Sequence, residues 1–468
     1  MSRYALRMVA DEWRQWSPAI ALIAVITTMV GLCVHQFAWT ADPAFRAAVA
    51  TAGVPLAEFQ IVSITVYTVV ALVGWVGLTV VGRASVQATR RTHALWLLLG
   101  AAPATVFGAT LLVLAVVSLC GAVLGALAST ILAAGAVPAF NAAVSSAVEQ
   151  PEFTISPWAP AVTVVLGTAT ALVGGLLPAR HACRTSPSAA LRNPDEPAPR
   201  SARTVLRIAG GLIFLLIAGA LVAAAGFADQ LGATGPAPMV NLALDAGGSA
   251  LVGVYLLCPQ IVGVVLRALH RTFRAPGLIV PAVGARAAAA RVQISATTVA
   301  PLAAGLGGIG VLLCAVNSAV ALTEALQPGL PTDLADVWTI IAVVAVSMLA
   351  TSAAVVALSA RGREREIALL LAAGMRPRQV TALVASESFA MALAASITAA
   401  VPVVVTGLVC GLVARAVLGD RATVAWPVGT MLLGLAGSWL VLLAILLVPA
   451  SAQLRSQPGA RLREQHGA

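Results

Sequence analysis

The chain has 468 residues, of which 60% are hydrophobic and only 10% charged, and its formal net charge of +10 is carried without a single lysine. That balance excludes a soluble globular domain, because the apolar residues come in runs long enough to cross a bilayer. It also excludes a P-loop nucleotide hydrolase, which needs a lysine to reach the terminal phosphates.

In chain order, residues 1–16 are charged and amphipathic, with no small-residue cleavage site behind them, and are predicted to lie along the membrane surface. Windows of about 20 apolar residues then predict spans at 17–37, 61–82, 104–135 and 158–178, a four-span module over 17–183. The Pro-, Ser- and Arg-rich stretch at 184–205 reads as a cytoplasmic linker. Spans at 206–226 and 248–268 form a central pair within 206–270, and a cytoplasmic connector covers 271–294. A second four-span module over 295–450 has spans at 295–318, 338–358, 384–414 and 427–449, followed by a cytoplasmic tail at 451–468. The expected fold is all-α: a polytopic helical protein of about 10 spans arranged 4+2+4, with no large extracytoplasmic domain.

With both termini in the cytoplasm, only Arg46, Arg415 and Arg421 of the 28 basic residues lie in outer loops, a strong positive-inside bias. The positive charge is therefore directed at anionic membrane lipid, and no aromatic-interleaved basic patch points to nucleic acid. The six cysteines and five histidines are scattered, without the spacing of a zinc site or a disulfide framework. No ionisable residue falls in the centre of any of these windows, although Gln260 and Asn317 are polar. That weighs against an ion-driven secondary transporter, which usually keeps a titrating group at depth.

Internal repetition decides the organisation. The segment 177–195 realigns with 448–466, matching Pro178 to Pro449, Arg184 to Arg455, Pro187 to Pro458 and Leu191-Arg192 to Leu462-Arg463. The segment 91–106 realigns with 365–380, matching Arg91 to Arg365, Gly100 to Gly374, Pro103 to Pro377 and Val106 to Val380. Two segments repeating in the same order mean a duplicated module, and an even-numbered insert between the copies keeps their orientation the same.

The stretch "REREIALLLAAGMRPRQV" at 363–380 concentrates charge in an oily chain. Arg363, Glu364, Arg365 and Glu366 open a segment of helix-forming composition, with Ile367, Leu370 and Leu371 on one face. Gly374 suits the position just past a helix end, and Pro377 suits the first turn of the next helix. Arg376 and Arg378 flank that proline, and Glu387 is expected near the membrane interface, solvated or paired with an arginine. Alternating Arg and Glu on a short surface helix makes a docking surface for charge-assisted contacts.

These residues resemble the cytoplasmic segment that opens the membrane domain of FtsX-like permeases, in the run Glu366-Ile367-Ala368, the turn Ala372-Ala373-Gly374 and the downstream Glu387. The endings Pro178…Pro187…Leu191-Arg192 and Pro449…Pro458…Leu462-Arg463 resemble that domain's close, so the likeness covers both modules. It implies the membrane subunit of a mechanotransmission-type ABC transporter in the bacterial inner membrane, which is not itself an enzyme and binds no cofactor directly. ATP and Mg would be held by a separate ABC ATPase, present in two copies, docked on Arg363, Glu364, Arg365, Glu366, Gly374, Arg376, Pro377, Arg378 and Glu387. The substrate would be hydrophobic or amphiphilic: a lipid, lipopeptide, antimicrobial peptide or drug.

The first copy departs from this pattern. Its degenerate coupling segment keeps Arg90, Arg91, Gly100 and Pro103, but Thr92-His93 replaces Glu366-Ile367 and Val113 replaces Glu387. The large outer domain of several family members is also absent. Two other functions stand beside the exporter: a non-transporting signalling permease of the cell-division type, and an ion-driven carrier.

Overall fold

The computed structural model describes residues 13–53, 95–144, 148–149, 151–182, 202–230, 235–274, 278–328, 348–354 and 369–455, with a few isolated positions between them. The predicted span at 61–82, the linker from 183 to 201, the tail beyond 455 and residues 1–12 lie outside these, as does much of the span at 338–358.

Every regular element among the described residues is helical. Among the described residues, eight helices are long and apolar enough to cross a membrane. The protein is an all-α polytopic membrane protein.

Residues 1–196 and 333–358 form one compact unit, and residues 197–332 and 359–468 a second. The first is built on α1 (Trp13–Thr40), α2 (Pro43–Ala52), α3 (Pro103–Val144) and α4 (Ala159–Ala182). Helices α1, α3 and α4 pack mutually around Leu22, Ile23, Ile26, Val113, Val117 and Ala171. Helix α2 starts because Asp42 Oδ1 accepts the Ala44 N–H at 2.8 Å and Pro43 needs no partner for a missing N–H. It stops at Gly53, φ +71°. Beside it Trp39, Phe45, Phe59 and Phe153 form an aromatic cluster, with Trp39 and Phe45 centroids 5.0 Å apart.

Ala354 is buried in the core of the first unit, with Ala350 packed against it. The segment 333–358 thus packs with the first unit, although the sequence repeat assigns it to the second copy. Duplication and packing have different boundaries.

The first unit also encloses polar groups. Gln36 Nε2 donates to Asn141 Oδ1 at 2.5 Å, and Asn141 Nδ2 returns a bond to Gln36 Oε1 at 3.2 Å. Both amides are buried, so each satisfies the other where no solvent can.

The second unit comprises α5 (Ala202–Ala225), α6 (Pro236–Leu256), α7 (Cys258–Arg274), α8 (Ile279–Ala290), α9 (Val292–Leu326), α10 (Pro377–Leu418) and α11 (Val428–Arg455). Its long helices α9 and α10 lie together, with α6 against both and α5 against α6. Small residues line this interior: Ala243, Ala246, Ala315, Ala319, Cys410 and Val413 are buried there.

The span expected at 248–268 is corrected: the helix that can cross is Pro236–Leu256. It starts at Pro236, whose missing N–H is no loss at a first turn, and ends at Leu257. Pro259 cannot extend the backbone ladder, and the helix that follows, α7, is amphipathic: Val262, Leu266 and Leu269 are buried, while Arg267, Arg271 and Arg274 are exposed. A second correction follows from this shift. Asp245, outside the expected window, is the tenth residue of a 21-residue span.

Candidate functional site: two repeated turns at the base of the long helices

A short helical stretch over residues 369–372 turns at Ala373 and Gly374 into α10. The Gly374 N–H donates to Leu371 O at 3.0 Å and the Met375 N–H to Leu370 O at 3.1 Å, the paired bonds of a Schellman ending. Gly374 has φ +89°, a conformation that side chains with a Cβ avoid. Pro377 then opens α10 at its first turn, and the Arg376 N–H donates to Gln379 Oε1 at 2.9 Å. Leu371 and Met375 pack on Val380, which is wholly buried.

The first copy repeats the backbone bonds of this turn. The Gly100 N–H donates to Leu97 O at 3.1 Å and the Ala101 N–H to Trp96 O at 3.0 Å, with Gly100 at φ +90°. The Val106 N–H bonds to Ala102 O at 3.2 Å, as the Val380 N–H bonds to Arg376 O at 3.2 Å. Val106 is also wholly buried. Helices α3 and α10, which these turns introduce, are 42 residues each.

Gly374, Arg376, Pro377 and Arg378 are exposed, as are Gly100 and Pro103. A Cβ at either glycine would meet nothing within 4 Å, so both turns are open on their outer side. Leu369 and, in the first copy, Leu95, Leu98 and Leu99 are large apolar residues exposed around them. Arg363, Glu364, Arg365, Glu366, Arg90 and Arg91 lie outside the described residues.

Of the two settings expected for Glu387, solvated or paired with an arginine, the first does not hold: it is only 5% exposed, nearly three turns into α10. Helix α8 crosses α10 at this level. Gly284 lies so close to α10 that a Cβ there would fall 2.8 Å from the Glu387 backbone nitrogen and against the Ser386 side chain. On another side of α10, Trp439 of α11 donates its indole N–H to Ala385 O at 3.4 Å and stands edge-on to Phe389, centroids 5.7 Å apart. Glu387 is thus packed into the helix assembly above the exposed turn, and Val113 is equally buried at the aligned place in α3.

The importance of Gly284 was not visible in sequence, since one glycine in an Ala-rich helix carries no sign of what it meets. Among the described residues no three His, Cys, Asp or Glu gather as metal ligands.

A family model described as FtsX-like permease C-terminal matches residues 64–187 and 338–458, together just over half of the chain. Each match encloses one of the two glycine turns and the whole of the 42-residue helix behind it. No curated protein matches the sequence.

Proposed function

The chain belongs to the FtsX-like permease family, and from that premise we propose that it is the permease of an ABC exporter in a bacterial inner membrane, with both termini cytoplasmic. Members of this family are non-catalytic membrane subunits that bind no cofactor themselves and typically pair with an ABC ATPase. Both modules are on one chain, so one permease with two ATPase subunits is the simplest assembly. The cargo is a hydrophobic or amphiphilic molecule moved by the relative motion of the membrane helices.

The observation that carries this reading is the repeated exposed turn at the foot of a long continuous helix. A turn held by two backbone bonds and a proline start is stiff, and a force applied to it is passed along the helix rather than absorbed. Arg376 and Arg378 support the same reading. Cations at a helix N-terminus oppose the macrodipole, each at a cost of about 0.3–1 kcal/mol where exposed. Helix stability therefore does not explain them, whereas an acidic surface, of lipid headgroups or of a partner, does. Glu387, buried in the part of α10 on which α8 and α11 pack, is a coupling residue that acts through packing and not by touching the ATPase.

Affinity purification of the tagged chain in mild detergent tests this. A P-loop ATPase should co-purify, and Ala substitution at Arg363, Glu364, Arg365 and Glu366 should release it. Recovery of the chain alone, under conditions that keep it folded, would sink the exporter reading.

A further inference from the structure

Asp245 stands in the middle of a membrane-spanning helix and is exposed. At 1.5 Å per residue it is roughly 14 Å from the start of α6, well inside a hydrocarbon layer about 30 Å thick. Asn241, one turn earlier on the same face, is exposed too, and Ser249, one turn later, is half-buried. The buried face of α6 consists of Met239, Ala243, Ala246, Gly247, Ala250, Gly253 and Val254. The polar stripe is therefore the outward one.

A carboxylate cannot be left against lipid tails, because its transfer there costs several kcal/mol unless a proton, water or a cation accompanies it. Among the described residues Asp245 forms no ion pair, and none of them offers a basic partner at that depth. Arginine occurs in the described spans only near their ends, at Arg207, Arg378, Arg415 and Arg421. The segments 61–82 and 338–358 contain no basic residue. His35, the one histidine in a described span, is enclosed in the first unit.

We propose that the Asn241–Asp245 face of α6 is the cargo-binding site and that it takes the cationic group of an amphiphile. One carboxylate and one amide on an open helix face supply too few oxygens to replace the hydration shell of a small metal cation. An organic cation needs no such cage. It brings its own apolar body, which suits a setting where the neighbouring helix α5 exposes Leu212, Ile213, Leu216 and Ile217. The carboxylate supplies the opposite charge in a low-dielectric layer, where the attraction is strongest. The exporter reading underlies the role of the site, and the cationic amphiphile gives that reading a cargo class.

The test uses the full chain in phospholipid nanodiscs with two probes of the same shape and opposite charge, tetraphenylphosphonium and tetraphenylborate. The cation should bind saturably above empty nanodiscs and the anion should not. Asp245→Asn should weaken cation binding by about tenfold or more, as removal of one partner of a desolvated charge pair does, while Asp245→Glu retains it. Asp245→Asn removes a charge from the bilayer and should leave the thermal midpoint unchanged or raised, so lost binding is not lost folding. Equal affinity in wild type and Asp245→Asn, no saturable cation binding at all, or displacement of the probe by millimolar sodium would each overturn the proposal. The binding assay contains no ATPase. Failure of the ATPase to co-purify with wild type would overturn the exporter reading alone, and an isotherm indifferent to Asp245 would overturn the site alone.

Discussion

Gly100 and Gly374 hold φ values of +90° and +89° with open space where a Cβ would be. Replacement by Ala therefore costs only the left-handed backbone, about 1–2 kcal/mol. A fluorescence-monitored thermal scan in detergent should show a lower midpoint for either variant. Gly374→Ala should in addition weaken ATPase recovery, because the turn it shapes is the proposed docking surface. The buried amide pair behaves differently. Asn141→Leu strands Gln36 in an apolar interior, a loss of about 1–3 kcal/mol, whereas Gln36→Leu with Asn141→Leu removes both needs at once. The double variant should melt above the Asn141→Leu single variant; the reverse order would mean the pair is not what holds these side chains.

At the scale of elements, α8 against α10 is a demanding contact in the second unit, since at Gly284 the neighbouring atoms include backbone, which cannot rotate away. Gly284→Leu should force the helices apart and loosen Glu387 from its packing. The expected result is a purifiable chain that still recovers the ATPase, since the exposed turn is untouched, but whose ATPase activity no longer responds to added tetraphenylphosphonium. Unaltered stimulation would show that the crossing is not on the route between turn and span. The turns themselves were legible in sequence down to individual residues, because a Schellman glycine and a first-turn proline are local requirements. The burial of Glu387 was not, because it depends on helices distant in the chain that pack on α10.

For the whole molecule, the distribution of arginine makes a topological prediction. Green fluorescent protein fused after residue 455 should fluoresce and alkaline phosphatase there should be inactive, while phosphatase inserted between α3 and α4 should be active. The opposite pattern would invert the orientation and remove the turns from reach of a cytoplasmic ATPase. The two compact units cut across the repeat, since 333–358 belongs by sequence to the second copy and by packing to the first unit.

Membrane residence, the direction of the charge bias, the duplication and the glycine-proline turns were determined by the sequence alone. Each depends on a run of neighbouring residues or on a match between two such runs. Three things were decided only in the tertiary structure: the packing of 333–358 with the first unit, the burial of Glu387, and the depth of Asp245. Hydropathy is a sum over a window, and an aspartate pushes the best window away from itself. Helix ends and helix neighbours are settled by backbone bonds and by which surfaces fit together, and no window contains those.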